Sequence, residues 1–420
     1  MKICIIGVGY VGLPLALRLS RKYAVIGYDR NKAKIAKLQS GYDETGEFSD
    51  KDLNEAGVTF VDSDSDIHDC DIFIITVPTP VSNDRTPDLS YLIDASNLVG
   101  RHLDRGNMVI YESTVYPGAT NEICVPVLEK MADLKLNDGF FVGYSPERVS
   151  PGQGGKRINE IEKIISASCS KKIPLMIEIY TAVTDKKLHV APSIEVTEFA
   201  KVLENTQRDL NIALINEVSH ICDRLKIKTR DVVNAAASKW NFAAYTPGFV
   251  GGHCIGVDPY YLLYKSEQLG YSAEVITAGR RVNERMTNFV VKKTIKTLSH
   301  FNKPVKECTV GVFGMTFKEN CPDMRNSKCF DLVHQLSEYS LDVRCFDPHI
   351  HDEQAVVENI EITKHADRSE QLFDYIIIAV PHQQYVRLGA NWFIERLSER
   401  NSKHIFDVKS LFPDEDFEAL

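Results

Sequence analysis

The glycine-rich turn near the start of the chain restricts its fold more than any other feature. A short apolar strand, Lys2–Ile6, runs directly into Gly7-Val8-Gly9-Tyr10-Val11-Gly12, and apolar residues at helical spacing begin at Leu13. A G-x-G-x-x-G sequence between a strand and a helix is typical of a dinucleotide-binding βαβ unit. The first glycine makes the turn, the second admits a pyrophosphate, and the third lets the helix pack closely on the strand. We therefore predict an α/β domain that binds a dinucleotide through this turn; a glycine turn without a ligand is the alternative.

The end of the second predicted strand indicates which dinucleotide is bound. Ala24–Tyr28 is followed by Asp29, where a carboxylate can accept hydrogen bonds from ribose hydroxyls. The same negative charge disfavours a 2′-phosphate, so we predict NAD rather than NADP. Lys34 lies close in the sequence and weakens this argument; it is included among the candidate cofactor contacts.

Polar side chains follow three further apolar segments, residues 71–77, 107–112 and 140–143, which we predict to be strands. Ligands of open parallel sheets bind outside the carboxyl ends of the strands. Each of these side chains is also a common helix cap or turn former, but their shared placement favours a binding role. The candidates are Thr79, Ser113, Thr114 and Glu147.

A long helix is predicted at residues 193–225, where apolar residues recur at helical spacing without an intervening proline or glycine. Lys201 and Asn205 lie four residues apart and therefore share a face of this helix. A cation and an amide can together stabilise a developing oxyanion. The alternative is a solvated face on which Glu198 and Glu204 are the ion partners.

The last third of the chain repeats the landmarks of the first. Apolar segments at 309–314, 342–347 and 375–380 end at a glycine turn, at an Asp-Pro pair and at a proline, in the earlier order. The triple glycine is absent and Lys318 follows the turn, which suits a diphosphate. We predict an α/β protein with two Rossmann-like doubly wound domains joined by a central all-helical domain with a long connecting helix. The predicted domain bounds are residues 1–190, 191–300 and 301–420.

A cysteine stands among glycines in the predicted central domain, within Gly251-Gly252-His253-Cys254-Ile255-Gly256-Val257-Asp258-Pro259. Glycine lets the backbone turn sharply and lets a ligand come close. Cys254 is therefore a candidate nucleophile. The alternative is a structural thiol, because free cysteine is among the most buried residue types.

Composition and charge exclude several classes of protein. The net charge of −9 gives no electrostatic support for nucleic-acid binding. No apolar run is long enough to span a bilayer, and the first residues lack the features of a signal peptide. The ten cysteines contain no C-x-x-C pair, so we expect no metal site, no disulfide framework and a cytoplasmic protein.

Four segments together carry a resemblance to a known family. They are Tyr111-Glu112-Ser113-Thr114-Val115-Tyr116-Pro117-Gly118, Ser145-Pro146-Glu147-Arg148, Glu204-Asn205-Thr206-Gln207-Arg208-Asp209, and the Cys254 loop through Asp258-Pro259-Tyr260-Tyr261. With them the chain resembles the UDP-glucose/GDP-mannose dehydrogenases along its whole length. The subgroup that it is most similar to oxidises UDP-N-acetylhexosamines for Vi-type capsule or O-antigen synthesis. Glucose-oxidising relatives usually have Ser where His253 precedes the cysteine.

The resemblance implies a role for each matching residue. Cys254 is the implied nucleophile, Asp258 its partner in the loop, and Lys201 and Asn205 the family's Lys-x-x-x-Asn pair. The implied catalytic set is Cys254, Lys201, Asn205, Glu147, Asp258 and Thr114, with the last of these positioning a water. The candidate cofactor contacts are Gly7, Gly9, Tyr10, Val11, Gly12, Asp29, Lys34, Thr79, Ser113, Thr114 and Arg325. The candidate substrate contacts are Glu147, Arg148, Lys201, Asn205, Tyr245, Phe249, Gly251, Phe317 and Lys318.

The implied reaction is a four-electron oxidation. The C6 hydroxyl of UDP-N-acetylglucosamine or UDP-N-acetylgalactosamine becomes a carboxylate while two NAD are reduced, through a thiohemiacetal and a thioester on Cys254. The resemblance also implies a homodimer. Three alternatives stay open: a UDP-glucose or UDP-galactose 6-dehydrogenase, a two-electron hydroxy-acid dehydrogenase, and a redox-sensing NAD-binding regulator.

Overall fold

The computed structural model describes residues 1–44, 46–82, 84–149, 156–350, 352–364 and 372–420. The chain forms two compact units. The first contains Met1–Glu204 and Tyr260–Ser272, and the second contains Asn205–Pro259 and Ala273–Leu420. Each unit holds one sheet, and helices dominate the chain between the two sheets. The predicted class of two α/β sheets joined by a helical region is confirmed.

The first sheet has the strand order β3-β2-β1-β4-β5-β6-β7-β8. Its strands and helices are β1 (Lys2–Ile6), α1 (Gly12–Leu19), β2 (Ala24–Tyr28), α2 (Lys32–Gln39), α3 (Asp50–Glu55), β3 (Val58–Val61), β4 (Ile72–Ile75), α4 (Ser90–Gly100), β5 (Met108–Tyr111), α5 (Val125–Ala132), β6 (Phe141–Tyr144), β7 (Lys163–Ala167), α6 (Ile173–Thr181) and β8 (Leu188–Val190). A π-helical turn, Thr120–Cys124, leads into α5.

The central strands of this sheet are apolar throughout because both of their faces are covered. Every residue of β4 and β5 is buried. The chain crosses from one half of the sheet to the other between β3 and β4, so that the carboxyl ends of β1 and β4 form the switch point where ligands bind in such folds. The predicted strands are confirmed with ends shifted by one or two residues. One feature was missed: β7 runs antiparallel to β6.

The long helix α7 (Ile194–Leu225) is confirmed within one residue of its predicted start. Its 32 residues correspond to a length of about 48 Å. The helix begins in the first unit and ends in the second. Four helices follow it: α8 (Thr229–Ala237), α9 (Asp258–Gln268), α10 (Glu274–Glu284) and α11 (Met286–Leu298).

The second sheet has the order β11-β12-β10-β9-β13-β14-β15, and its centre is built from the three strands predicted to repeat the first domain. The elements are β9 (Thr309–Phe313), α12 (Lys328–Ser337), β10 (Asp342–Phe346), β11 (Gln354–Val357), β12 (Ile360–Thr363), β13 (Tyr375–Ile378), α13 (Gln383–Leu388), α14 (Ala390–Ile394), β14 (Ile405–Asp407) and β15 (Glu418–Ala419). The β11–β12 pair is an antiparallel edge on an otherwise parallel sheet.

The glycines of the first turn meet different constraints. A Cβ atom at Gly12 would lie 1.9 Å from the carbonyl oxygen of Gly7 and 2.5 Å from Oγ1 of Thr76, so the fold itself forbids a side chain there. A Cβ atom at Gly9 would meet no heavy atom within 4 Å. Gly9 therefore leaves open space beside the helix start, as the approach of a ligand requires.

This difference predicts opposite stabilities for two matched variants. Gly12→Ala should lower the free energy of unfolding by about 1–3 kcal/mol or more, because the new methyl group overlaps backbone atoms. Gly9→Ala should unfold at the same denaturant concentration as the wild type. Urea titrations followed by circular dichroism measure both. Equal stability of the two variants would contradict the packing assigned to Gly12.

Candidate active site

Cys254 lies in a turn, residues 252–257, that leads directly into α9. Its carbonyl oxygen accepts hydrogen bonds from the backbone N–H groups of Val257 at 3.0 Å and Asp258 at 2.8 Å. The residue is exposed, so the alternative of a buried structural thiol is wrong. The N-terminal end of a helix stabilises a nearby negative charge. The negatively charged thiolate is the form in which cysteine attacks as a nucleophile.

Two glycines let this turn lie against the loop that follows β9. The N–H of Gly252 donates to the carbonyl oxygen of Asn326 at 3.1 Å. A Cβ atom at Gly251 would come within 2.5 Å of that same oxygen. Gly252 has φ +80°, and a Cβ there would lie 2.5 Å from the ring of Phe317. The sequence predicted close approach at these glycines; the structure shows that the neighbour is the chain's own backbone and an aromatic ring.

Asp258 holds the amide of Asn205. Nδ2 of Asn205 on α7 donates to Oδ2 of Asp258 at 2.6 Å, and the aspartate is only 2 % exposed. This contact fixes how the amide is turned. Lys201, one helical turn before Asn205, is 6 % exposed, so the face that it shares with Asn205 is not a solvated one.

The two glutamates that were considered as ion partners on a solvated face have other contacts. Glu198 is fully buried and accepts from the N–H groups of Gly118 at 2.6 Å and Thr120 at 3.0 Å. Burial raises the pKa of Glu198 to about 7. Glu204 is bound by both Nε and Nη2 of Arg148, at 3.0 and 2.6 Å. The glutamates thus fasten α7 to two loops of the first unit.

In the first unit, Asp29 stands at the end of β2, as predicted. Its Oδ2 accepts from the N–H of Val8 at 3.3 Å and from Nζ of Lys34 at 2.9 Å, and its Oδ1 accepts from the N–H of Asn31 at 2.9 Å. Lys34 is therefore the counter-ion of Asp29. The carboxylate is held beside the glycine turn.

The hydroxyl groups at the ends of β4 and β5 join two loops. Oγ1 of Thr79 donates to the carbonyl oxygen of Thr114, and Oγ of Ser113 donates to that of Val77, each at 2.6 Å. The three predicted contacts Thr79, Ser113 and Thr114 are thus brought together. Two of the hydroxyl protons are used on the backbone, which leaves the oxygen lone pairs for a ligand.

Glu147 belongs to a buried charge network that sequence reasoning missed. Its Oε2 accepts from Nζ of Lys163 at 3.1 Å, and the same ammonium donates to Oε2 of Glu112 at 2.8 Å. Oε1 of Glu112 accepts from the hydroxyl of Tyr180 at 2.6 Å. Oε1 of Glu147 accepts from two backbone N–H groups, at 2.6 and 2.7 Å. The carboxylate of Glu147 is consequently fixed on both oxygens.

The charges of this network stabilise one another. Burial acts to lower the pKa of Lys163, but Glu112 and Glu147 outweigh it and raise the pKa above its ordinary value. Burial raises the pKa of Glu112, against the pull of Lys163. The side chains of Lys163 and Glu112 are both fully buried. Only the unpredicted antiparallel strand β7 brings Lys163 to this position.

Two predicted ligand-binding arginines form ion pairs in the structure. Arg148 is bound to Glu204, and its Nη1 also donates to the carbonyl oxygen of Glu162 at 2.9 Å. Arg325 is bound to Asp323 through Nε at 3.0 Å and Nη2 at 2.7 Å. Their proposed contacts with substrate and cofactor stay predictions.

The remaining predicted substrate residues lie on two segments of the second unit. Asn216 forms a pair of hydrogen bonds with the backbone of Gly248, at 2.8 and 3.0 Å, and so fixes the segment that carries Tyr245 and Phe249. Oγ1 of Thr316 donates to the carbonyl oxygen of Lys318 at 2.9 Å. Tyr245, Phe249 and Lys318 are each half-buried.

In the second sheet, Asp347 has the position that Asp29 has in the first sheet, and its carboxylate is hydrogen-bonded within the protein. Oδ2 of Asp347 accepts from the N–H groups of Met315 at 2.6 Å and Thr316 at 3.0 Å, and Nε2 of His382 lies 3.2 Å away. Asp347 and His382 are fully buried. Asp347 is therefore closed off from solvent, whereas Asp29 is 9 % exposed.

The structure also bears on metal binding and on membrane insertion. Among the described residues, no group of three His, Cys, Asp or Glu side chains is arranged to hold a metal ion. In the part of the chain that the structure describes, no helix is both long and apolar enough to cross a bilayer.

Comparison with known proteins assigns the family. Three family models match in order: the NAD binding domain at residues 1–184, the central domain at 195–285 and the UDP binding domain at 311–414. The chain belongs to the UDP-glucose/GDP-mannose dehydrogenase family. NAD is therefore its cofactor. The open space at Gly9 and the carboxylate of Asp29 beside the glycine turn fit that group.

Relatives match along almost the whole chain. A UDP-N-acetyl-D-glucosamine 6-dehydrogenase of Pseudomonas aeruginosa is 46 % identical over 99 % of this chain and 98 % of its own length. The enzyme of the same name from Salmonella typhi is 45 % identical over 99 % of this chain and 97 % of its own length. Protein CapL of Staphylococcus aureus is 43 % identical, covering 91 % and 90 %. A solved UDP-D-ManNAc dehydrogenase from Pyrococcus horikoshii superimposes with a TM-score of 0.89 at 29 % identity, covering 100 % and 99 %.

The Lys163 network predicts a large loss of stability in one variant. Lys163→Met should lower the free energy of unfolding by about 3–5 kcal/mol, because it leaves two buried carboxylates without their cation. Lys51→Met is the matched control, since Lys51 pairs with Glu55 on the surface, where its side chain is 78 % exposed. Guanidinium titrations compare the two midpoints. If Lys163→Met unfolds together with the control, the network does not hold Glu147 in place.

Proposed function

We propose that the chain oxidises the C6 hydroxyl of a UDP-N-acetylhexosamine to a carboxylate, with UDP-N-acetylglucosamine as the first candidate. The observation that carries this proposal is the exposed Cys254 at the start of α9, in a chain that belongs to this dehydrogenase family. The names of the relatives from Pseudomonas aeruginosa and Salmonella typhi support the choice of sugar. We also propose the three-domain division at 1–190, 191–300 and 301–420.

The proposed reaction has two oxidations and one hydrolysis. Loss of a hydride from C6 and of the hydroxyl proton gives an aldehyde. The Cys254 thiolate adds to the aldehyde carbon, and the oxygen takes up a proton to give a thiohemiacetal. Loss of a second hydride and of that hydroxyl proton gives a thioester. Water cleaves the C–S bond, releasing the carboxylate and restoring the thiol. NAD supplies the two-electron acceptor in each oxidation. A covalent intermediate retains the reactive aldehyde and divides a difficult conversion into easier steps.

The residues of α7 stabilise the oxyanions of this sequence. The ammonium of Lys201 and the amide of Asn205 are the proposed donors to the oxygen on C6. Asp258 acts through Asn205, because its hydrogen bond turns the amide in one direction. Glu147 and Thr114 are the proposed groups that orient the hydrolytic water, and the network of Lys163 supports Glu147 as a fixed acceptor.

The second sheet supplies the proposed contacts to the UDP-sugar. Phe317 and Lys318 follow β9, and Tyr245, Phe249 and Gly251 lie on the segment held by Asn216. Arg148 remains a proposed substrate residue, and Arg325 a proposed contact to NAD.

A homodimer is proposed from the exposed apolar side chains of α7. Six apolar residues along this helix are between 46 % and 62 % exposed. They are Val196, Phe199, Leu203, Leu214, Ile221 and Leu225. Apolar surface on one helix at this density marks an interaction face.

A cytoplasmic location and a role in capsule or O-antigen synthesis are also proposed, the role from the likeness to CapL.

Counting NADH tests the proposed reaction. The purified protein should release two NADH per UDP-N-acetylglucosamine consumed, with the uronic acid identified by mass spectrometry. One NADH per sugar would indicate the two-electron alternative, and no turnover across a panel that includes the galacto epimers and UDP-glucose would contradict the proposal.

The Cys254→Ala variant should form no acid, since it lacks the nucleophile, while its NAD affinity by calorimetry stays unchanged. Cys169→Ala is the control, because Cys169 is a partly exposed thiol outside the proposed site. Acid formation by Cys254→Ala at the rate of this control would refute the covalent route.

A further inference from the structure

The carboxylate of Asp323 forms contacts with two residues of the second unit. One precedes the proposed nucleophile, and the other is a proposed contact to NAD. Oδ2 of Asp323 lies 3.1 Å from Nε2 of His253, the residue before the nucleophile. The same carboxylate accepts from Arg325 through Nε at 3.0 Å, Nη2 at 2.7 Å and the backbone N–H at 3.0 Å. His253 and Asp323 are 70 residues apart in the sequence, so no local pattern predicts their contact.

The position of Asp323 is itself fixed by its loop. Its N–H donates to the carbonyl oxygen of Cys321 at 2.9 Å, and its carbonyl oxygen accepts from the N–H of Phe317 at 3.1 Å. The ring of Phe317 in turn meets the ring of His253 edge to face, with centroids 6.0 Å apart. The loop therefore supports His253 through a hydrogen bond and through packing.

The carboxylate is ionised in this arrangement. Its side chain is only 10 % exposed. Burial alone would raise the pKa of Asp323, but the hydrogen bonds from His253 and Arg325 outweigh it and lower the pKa far below its ordinary value. The charge is thus held where it attracts both partners.

The geometry also limits what His253 can do. Its Nε2 is engaged by Asp323, so this nitrogen does not serve as the base that deprotonates Cys254. The side chain instead anchors the turn at residues 252–257 to the loop after β9. The guanidinium of Arg325, whose side chain is 59 % exposed, would lose this ion pair without Asp323.

We propose that Asp323 is a positioning residue, which acts through His253 on the Cys254 turn and through Arg325 on the binding of NAD. The part concerning NAD rests on the function proposed above; the part concerning the thiol does not. Loss of the carboxylate should loosen the turn that precedes α9 and so move the thiol from its position.

The first test measures the thiol without any substrate. Asp323→Asn and His253→Asn should each slow the alkylation of Cys254 by iodoacetamide at pH 7, followed at that peptide by mass spectrometry. The two changes should not add in the double variant, because both break the same hydrogen bond. Faster alkylation in Asp323→Asn would show that its charge, rather than its anchoring, acts on the thiol. That result, or fully additive effects, would overturn the proposal.

The second test measures turnover. In Asp323→Asn, kcat for acid formation should fall on the order of 10–100-fold, since small misplacements of reacting groups have effects of this size. The KM for NAD should rise. The rise should be absent when Asp323→Asn is introduced into the Arg325→Met variant. An NAD effect of the same size in both backgrounds would overturn the link to Arg325.

Asp342→Asn is the matched control for both tests. Asp342 pairs with Arg344 at the same two-residue spacing, with Nη2 to Oδ2 at 3.0 Å, but this pair is about half exposed and lies on β10. The control should behave as the wild type in alkylation and turnover. If the wild type oxidises no UDP-sugar, the proposed function fails, and the alkylation test still decides the role of Asp323.

Discussion

The docking of a glycine pair onto a backbone carbonyl sets the position of Cys254, the proposed nucleophile. The carbonyl oxygen of Asn326 receives the N–H of Gly252 and stands where a side chain of Gly251 would be. A residue larger than glycine at position 251 would push the turn away from this loop. Within this turn the carbonyl oxygen of Cys254 accepts from the N–H of Asp258, the first residue of α9, and from that of Val257 just before it. One close contact therefore places the backbone of Cys254 just before the N-terminal end of a helix.

Around this turn, carboxylates act as anchors. Asp258 turns the amide of Asn205, and Asp323 binds the imidazole of His253. In the first unit Glu147 is itself anchored, by Lys163. A hydrogen-bonded partner holds each of these groups in one orientation, which lowers the reorganisation that the proposed chemistry requires.

Much of the fold follows from periodicity and from glycines. The first turn, the central strands of both sheets and α7 obey local rules that need only a few adjacent residues, and all were predictable. Lys201 and Asn205 could also be selected as candidates, because their types and their four-residue spacing suit oxyanion stabilisation, and Cys254 could be selected because glycines surround it. The partners of these groups could not. Lys163 reaches Glu112 across 51 residues, and only through a strand that reverses direction. The sequence also does not reveal that Glu204 binds Arg148, a residue placed among the candidate substrate contacts.

Acid formation is proposed to pass through a covalent bond to Cys254. Acid-quenched samples taken within the first turnovers, analysed by peptide mass spectrometry, test it most directly. We expect a UDP-uronyl adduct on the peptide that contains Cys254, dependent on NAD, and a longer-lived adduct at position 254 in Cys254→Ser, because an ester hydrolyses more slowly than a thioester. Formation of the acid at the wild-type rate by Cys254→Ser, with no adduct in either protein, would contradict it.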